Sequence, residues 1–98
     1  MKQHKYRITL EHLEDPKGGS LGYAPLQLEV GNHDDIFKIV ERMRGRGDLD
    51  ENSATAFAIG LKLFGEVMLE NRENPLFSGF RSDFGRFMKQ LKAGVKGS

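Results

Sequence analysis

Phe77, Phe80, Phe84 and Phe87 lie three, four and three residues apart, and six of the chain's seven phenylalanines fall between Phe57 and Phe87. On a helix of 3.6 residues per turn this spacing draws one continuous apolar stripe, which needs an apolar cover. The C-terminal half is therefore expected to build helical core. A length of 98 residues suits a single domain over 1–98, and a chain of that size buries roughly two-thirds of its unfolded surface, enough for one modest core.

Composition narrows the class. With 38% hydrophobic and 30% charged residues the chain reads as an ordinary globular protein, not a disordered one. No apolar run approaches the ~20 residues of a membrane span, and the opening Met1 to Arg7 is too polar for a signal peptide. The absence of cysteine removes disulfides, thiolate metal sites and cysteine nucleophiles, and suits the cytoplasm. The net charge of +1 is unevenly spread. Arg81, Arg86, Lys89, Lys92 and Lys96 face only Asp83 after residue 75, whereas residues 32–52 carry six acids and four bases. A basic C-terminus of this kind reads as a solvated face, and a nucleic-acid partner is disfavoured.

Tyr6, Ile8 and Leu10 alternate with Lys5, Arg7, Thr9 and Glu11. That period of two marks a strand with one wet face, over about 4–13. Asp15-Pro16-Lys17-Gly18-Gly19 is turn chemistry. Leu26, Leu28 and Val30 then alternate with Gln27 and Glu29, predicting a second strand over about 25–31. The connector is too short for a crossover helix, so the strands form an antiparallel hairpin. Asn32 is the expected helix cap, with Asp34 and Asp35 in the first turn. The helix over about 33–45 ends at Gly45 or Gly47. A central helix over about 51–71 carries Phe57, Leu61, Phe64 and Met68 along one line and Ala56, Ile59, Leu63 and Val67 along another, so it should be covered on two sides. Asn74 and Pro75 open a last helix over about 75–92, with Ser78-Gly79 a break point near its start and a frayed tail at 93–98. The order β-β-α-α-α is α+β, with the hairpin's apolar face expected on the helices.

Taken together, His4-Lys5-Tyr6-Arg7-Ile8-Thr9, Asn32-His33-Asp34-Asp35-Ile36-Phe37, the run Gly60 to Leu69 and Asn74-Pro75-Leu76-Phe77 resemble a small bacterial family of about this length. That family is classed as a domain of unknown function. The resemblance spans nearly the whole chain and implies a stand-alone bacterial protein. It implies no activity, cofactor or catalytic residue.

The polar residues offer few sites. Asp48, Asp50 and Asn52 begin like a calcium loop, but Ser53 stands where glycine is needed and Ile59 where glutamate belongs. Gly18-Gly19-Ser20-Leu21-Gly22 follows no phosphate-loop pattern and reads as a hairpin loop. His4 and His12 are eight residues apart, more than ~25 Å along a strand, and so share no metal within one chain. His33 beside Asp34 and Asp35 is the best general-base candidate, since carboxylates orient and charge an imidazole; the competing account is a helix-start residue with no chemical role. Ser20, Ser53, Ser78, Ser82 and Ser98 have no histidine close in sequence. Arg42, Arg44 and Arg46 form the most distinctive cluster. Their guanidinium forks suit phosphate or carboxylate, although basic residues also favour a helix C-terminus for its dipole alone.

The resulting expectation is a non-enzymatic, cytoplasmic protein-interaction or accessory domain that pairs as a homodimer through the open hairpin edge. One alternative is an anion- or nucleic-acid-binding module using Arg42, Arg44, Arg46 and the basic last helix. The other is an enzyme centred on His33. No catalytic residue, cofactor or metal is assigned.

Overall fold

Alternating residues become a paired hairpin in the computed structural model, which describes residues 2–96 and side chains through residue 93. Strand β1 (His4–Leu10) runs antiparallel to β2 (Leu26–Asn32). The register sets Tyr6 against Val30, Ile8 against Leu28 and Leu10 against Leu26. Facing residues share one side of a sheet, so these six form its apolar face. Lys5, Arg7 and Thr9 lie on the other side, where Arg7 Nη2 donates to Glu29 Oε2 at 2.8 Å.

The pairing stops earlier than the alternation of residues 4–13 predicts. Continued by one step, the register would place Glu11 opposite Pro25. Proline has no N–H to give the ladder, so both strands end there. Glu11, His12 and Leu13 join the loop instead, where His12 meets the Tyr23 ring edge-on at 5.6 Å. The loop's turn is built on Asp15, whose Oδ1 accepts from the backbone N–H groups of Lys17 and Gly19 at 2.9 and 2.8 Å. Gly18 holds φ +85°, a conformation that disfavours any residue with a Cβ.

Chain contacts divide the molecule into a hairpin unit, Met1–His33, and a helical unit, Asp34–Ser98. With strands first and helices after, the class is α+β. In the helical unit, α1 (Ile36–Gly45) is capped by Asp35, whose Oδ1 accepts from Phe37 N at 3.0 Å. This corrects the assignment of Asn32 as cap: Asn32 is buried and belongs to β2 opposite His4, so the ladder has claimed it and the helix starts three residues later than expected. Arg46 follows the last turn, and Gly47, at φ +85°, turns the chain away.

Helix α2 (Glu51–Glu70) is capped by Asp50, whose Oδ1 accepts from Ser53 N at 2.7 Å. Asn74 Oδ1 accepts from Leu76 N at 2.9 Å, and Pro75 opens a short helix, α3 (Pro75–Ser78). The predicted single helix over 75–92 is thus two, interrupted at Gly79 and Phe80. The second, α4 (Arg81–Lys96), continues past the expected fraying point at residue 93; no proline stops it, and the part of the tail at 97–98 lies outside the described residues.

The helical core is small and specific. Met43, Ala54, Ala58 and Leu91 are buried together, with Ile39, Val40, Phe57, Leu61 and Met88 packed around them. Ala54 and Ala58 sit one turn apart on α2, so the neighbouring side chains of α1 and α4 reach the α2 backbone closely. The phenylalanine stripe also turns toward α2. Phe57 meets Phe87 at 6.2 Å, and Phe64 meets Phe77, Phe80 and Phe84 at 6.2, 6.1 and 5.7 Å between ring centroids. Cover is incomplete, since Phe80 and Phe87 keep 45% and 42% of their surface exposed.

Candidate functional site

Successive residues on a helix are 100° apart, so Arg44 is turned away from the face that Arg42 and Arg46 share, and the three form no single cluster. Arg44 turns to the start of α2, where Nε donates to Thr55 Oγ1 at 3.1 Å and lies 3.9 Å from Glu51 Oε1. Arg46 grips Asp48 with Nε and Nη2, at 3.0 Å to Oδ1 and 2.7 Å to Oδ2. That bidentate bond raises the Arg46 pKa and lowers that of Asp48. The backbone N–H of Ser53 likewise holds the Asp50 carboxyl below its usual range. Asp48 and Asp50, the first two oxygens of the calcium-like sequence, are therefore engaged in a turn and a cap.

Arg42 has a different setting. It lines a pocket of about 400 Å³ formed by α1, α2 and α4, together with Lys62 from α2, Lys92 from α4 and Asp34. Between these polar groups the walls are apolar, made of Ile39, Met43, Leu61, Met88 and Leu91. Lys62 is mostly buried and pairs with Asp34. Arg42 and Lys92 have no acidic partner among the described residues. Lys62 was not singled out from sequence, whereas Lys92 is one of the bases of the last helix that the anion-binding alternative draws on. A signal did exist for Lys62: with Glu66 it is one of the only two charged residues in the run 54–69.

His33 is held in the hairpin unit, with Gln3 Nε2 3.4 Å from its Nδ1. The carboxylates expected to orient it have other partners in the helical unit, Asp35 at the α1 N-terminus and Asp34 on Lys62. His4 stacks on Tyr6 and His12 on the edge of Tyr23, so each histidine sits in a separate aromatic or amide setting. Among the described residues no cluster of histidine, aspartate and glutamate could hold a metal ion, and no helix is long and apolar enough to cross a membrane.

No curated protein matches the chain. A crystal structure of a protein of unknown function from Pectobacterium atrosepticum SCRI1043 is similar, with a TM-score of 0.80 and 38% sequence identity over 93% of this chain and 98% of that one. That relative is bacterial and, at this coverage, of nearly the same extent. Residues 4–93 match the family model of a domain of unknown function with a solved structure, DUF3861, and the chain belongs to that family.

Proposed function

We propose that this chain is a non-enzymatic interaction module of the bacterial cytoplasm that acts as a homodimer, two copies of β1 pairing antiparallel across a two-fold axis at Ile8. The observation that carries the reading is the order of residues along β1 and into Glu11, the first residue past its end, which pairing across the axis would draw into the sheet. An axis at Ile8 sets Lys5 of one copy against Glu11 of the other, Arg7 against Thr9, and Tyr6 against Leu10. On the wet face Lys5 meets its opposite charge and Arg7 a neutral hydroxyl, and apolar meets apolar on the other. An axis at Arg7 would oppose that arginine to itself, and a shift by a single residue between partners would mix the two faces.

The hairpin supplies a reason to pair. In a two-stranded sheet each strand keeps one edge without a strand partner. Leu10, Leu26 and Leu28 on the apolar face are 64%, 61% and 42% exposed, and a four-stranded sheet would give that face a broader platform. A polyanion-binding module has less support, because Arg44 and Arg46 already bind Thr55, Glu51 and Asp48. Catalysis at His33 has less again, because Asp34 and Asp35 are engaged elsewhere. Light scattering at tens of micromolar tests the proposal. The expected mass is twice that of the 11.1 kDa chain; a clean monomer overturns it.

A further inference from the structure

The pocket among α1, α2 and α4 has an apolar floor and a cationic mouth. Ile39, Met43, Leu61, Met88 and Leu91 supply the floor. Arg42, Lys62 and Lys92 against Asp34 leave three positive charges to one negative, a net of +2. Its volume of about 400 Å³ lies in the range of small-molecule sites, ~300–1,000 Å³. These two chemistries select a ligand. A multiply charged phosphate would leave the apolar floor uncovered, and an uncharged hydrocarbon would leave the cations unused. A cation would meet the net positive mouth. What suits both parts is one negative head on a slender apolar chain.

We propose that this pocket binds a linear amphipathic monoanion, a medium-chain carboxylate, with its chain on Met43, Leu61, Met88 and Leu91 and its head between Arg42 and Lys92. Asp34 already neutralises Lys62 and repels a second carboxylate, which directs the head to the two cations without acidic partners. Arg42 offers a planar fork matched to a carboxylate, and Lys92 a compact charge from another helix. Met43 and Met88 are unbranched and adaptable, so the floor can follow a chain that has no rigid shape of its own. The site lies wholly in the helical unit and stands independently of pairing through β1.

The test is an amide NMR titration of the full chain with decanoate below its micelle concentration, alongside octanoate, butyrate and decyltrimethylammonium. Decanoate is expected to give saturable shifts confined to residues around Met43, Leu61, Met88 and Leu91. Each methylene removed should weaken binding by up to about fourfold, since each buried one is worth ~0.8 kcal/mol of transfer. Butyrate and the cationic chain should give no saturable shifts. Both cations are exposed, so the Arg42→Gln/Lys92→Gln variant should keep a folded spectrum and bind decanoate about tenfold more weakly. The proposal is overturned if the cationic chain binds as well as decanoate, if butyrate binds as well, if the shifts fall on the hairpin, if the double variant binds like the parent, or if nothing saturates at millimolar decanoate.

Discussion

Phe64 and Phe84 meet edge to face, their ring centroids 5.7 Å apart and their planes at 85°. Phe64 also touches Phe77 and Phe80, so one ring on α2 gathers three of the four members of the C-terminal stripe. Edge-to-face pairs contribute about 0.5–1.5 kcal/mol beyond the area they bury. The stripe therefore acts as a clasp that ties α3 and the start of α4 to the central helix.

Removing one half of the clasp should be costly. Phe84 is half-buried, so Phe84→Ala is expected to destabilise by about 2–4 kcal/mol, toward the lower end of the ~3–5 seen for fully buried phenylalanine. Phe84→Leu, which keeps most of the volume, should lose about half as much. Urea denaturation of the three proteins checks this. A midpoint for Phe84→Ala equal to that of the parent would mean the ring contributes nothing.

Gly65 lies beside the same contact, and its neighbourhood has room. A methyl group added there would stand 3.6 Å from Phe84 Cζ, an ordinary van der Waals distance, while one added at Gly60 would meet nothing within 4 Å. Both glycines are interior to α2, where glycine is less favourable than alanine by roughly 0.8–1 kcal/mol. Gly65→Ala and Gly60→Ala should each raise stability by about 0.5–1 kcal/mol, read as higher melting temperatures. Gly47→Ala should act the other way, because its φ of +85° strains any residue with a Cβ. A drop in melting temperature for Gly65→Ala would show that the Phe64–Phe84 contact cannot yield.

These contrasts show which parts of the fold were readable. Local patterns were: the alternation around Ile8 became β1, and Asn74-Pro75 became a capped helix start. Errors arose where two local signals competed or where pairing decided the outcome. Asn32 and Asp35 are both good caps, and only the ladder opposite His4 withdraws Asn32 from the choice. The end of β1 depends on Pro25, which is distant in sequence and faces Glu11 only once the register is known. The pocket was less legible still. Arg42 could be read as a helix-end cation, but Lys62 and Lys92 come to the same hollow only through the packing of α1, α2 and α4.

Acid should loosen the start of α2 by a defined route. Asp50 accepts from Ser53 N, and this bond holds its carboxyl below the usual range. A carboxylate depressed in the folded state adds stability that is fully present above its unfolded value, about 3.9. That contribution is lost as pH falls through the lower, folded value. Asn keeps the capping oxygen but does not titrate. Asp50→Asn should therefore match the parent near neutral pH and lose less stability below about pH 4. Denaturation midpoints across that range decide the matter, and parallel acid limbs for the two proteins would contradict the role given to Asp50.

The proposed β1 pairing makes a charge-reversal prediction that few other dimer geometries share. With the axis at Ile8, Lys5 faces Glu11 of the second copy twice, once on each side of the axis. Lys5→Glu would replace both attractive pairs with like charges. Each cross-strand pair contributes roughly 0.2–1 kcal/mol, and opposed like charges cost a similar amount. Two such reversals should raise the dimer Kd about tenfold or more. Glu11→Lys alone should do the same, whereas Lys5→Glu combined with Glu11→Lys restores opposite charges and should return the Kd close to that of the parent. Arg7 is the control, because it already binds Glu29 within its own hairpin and faces Thr9 across the axis; Arg7→Gln should change the Kd little. Sedimentation equilibrium of the four variants and the parent reads these constants directly. Single reversals that each weaken the dimer, with no recovery in the double variant, would show that Lys5 and Glu11 act through separate contacts and that the axis does not pass through Ile8.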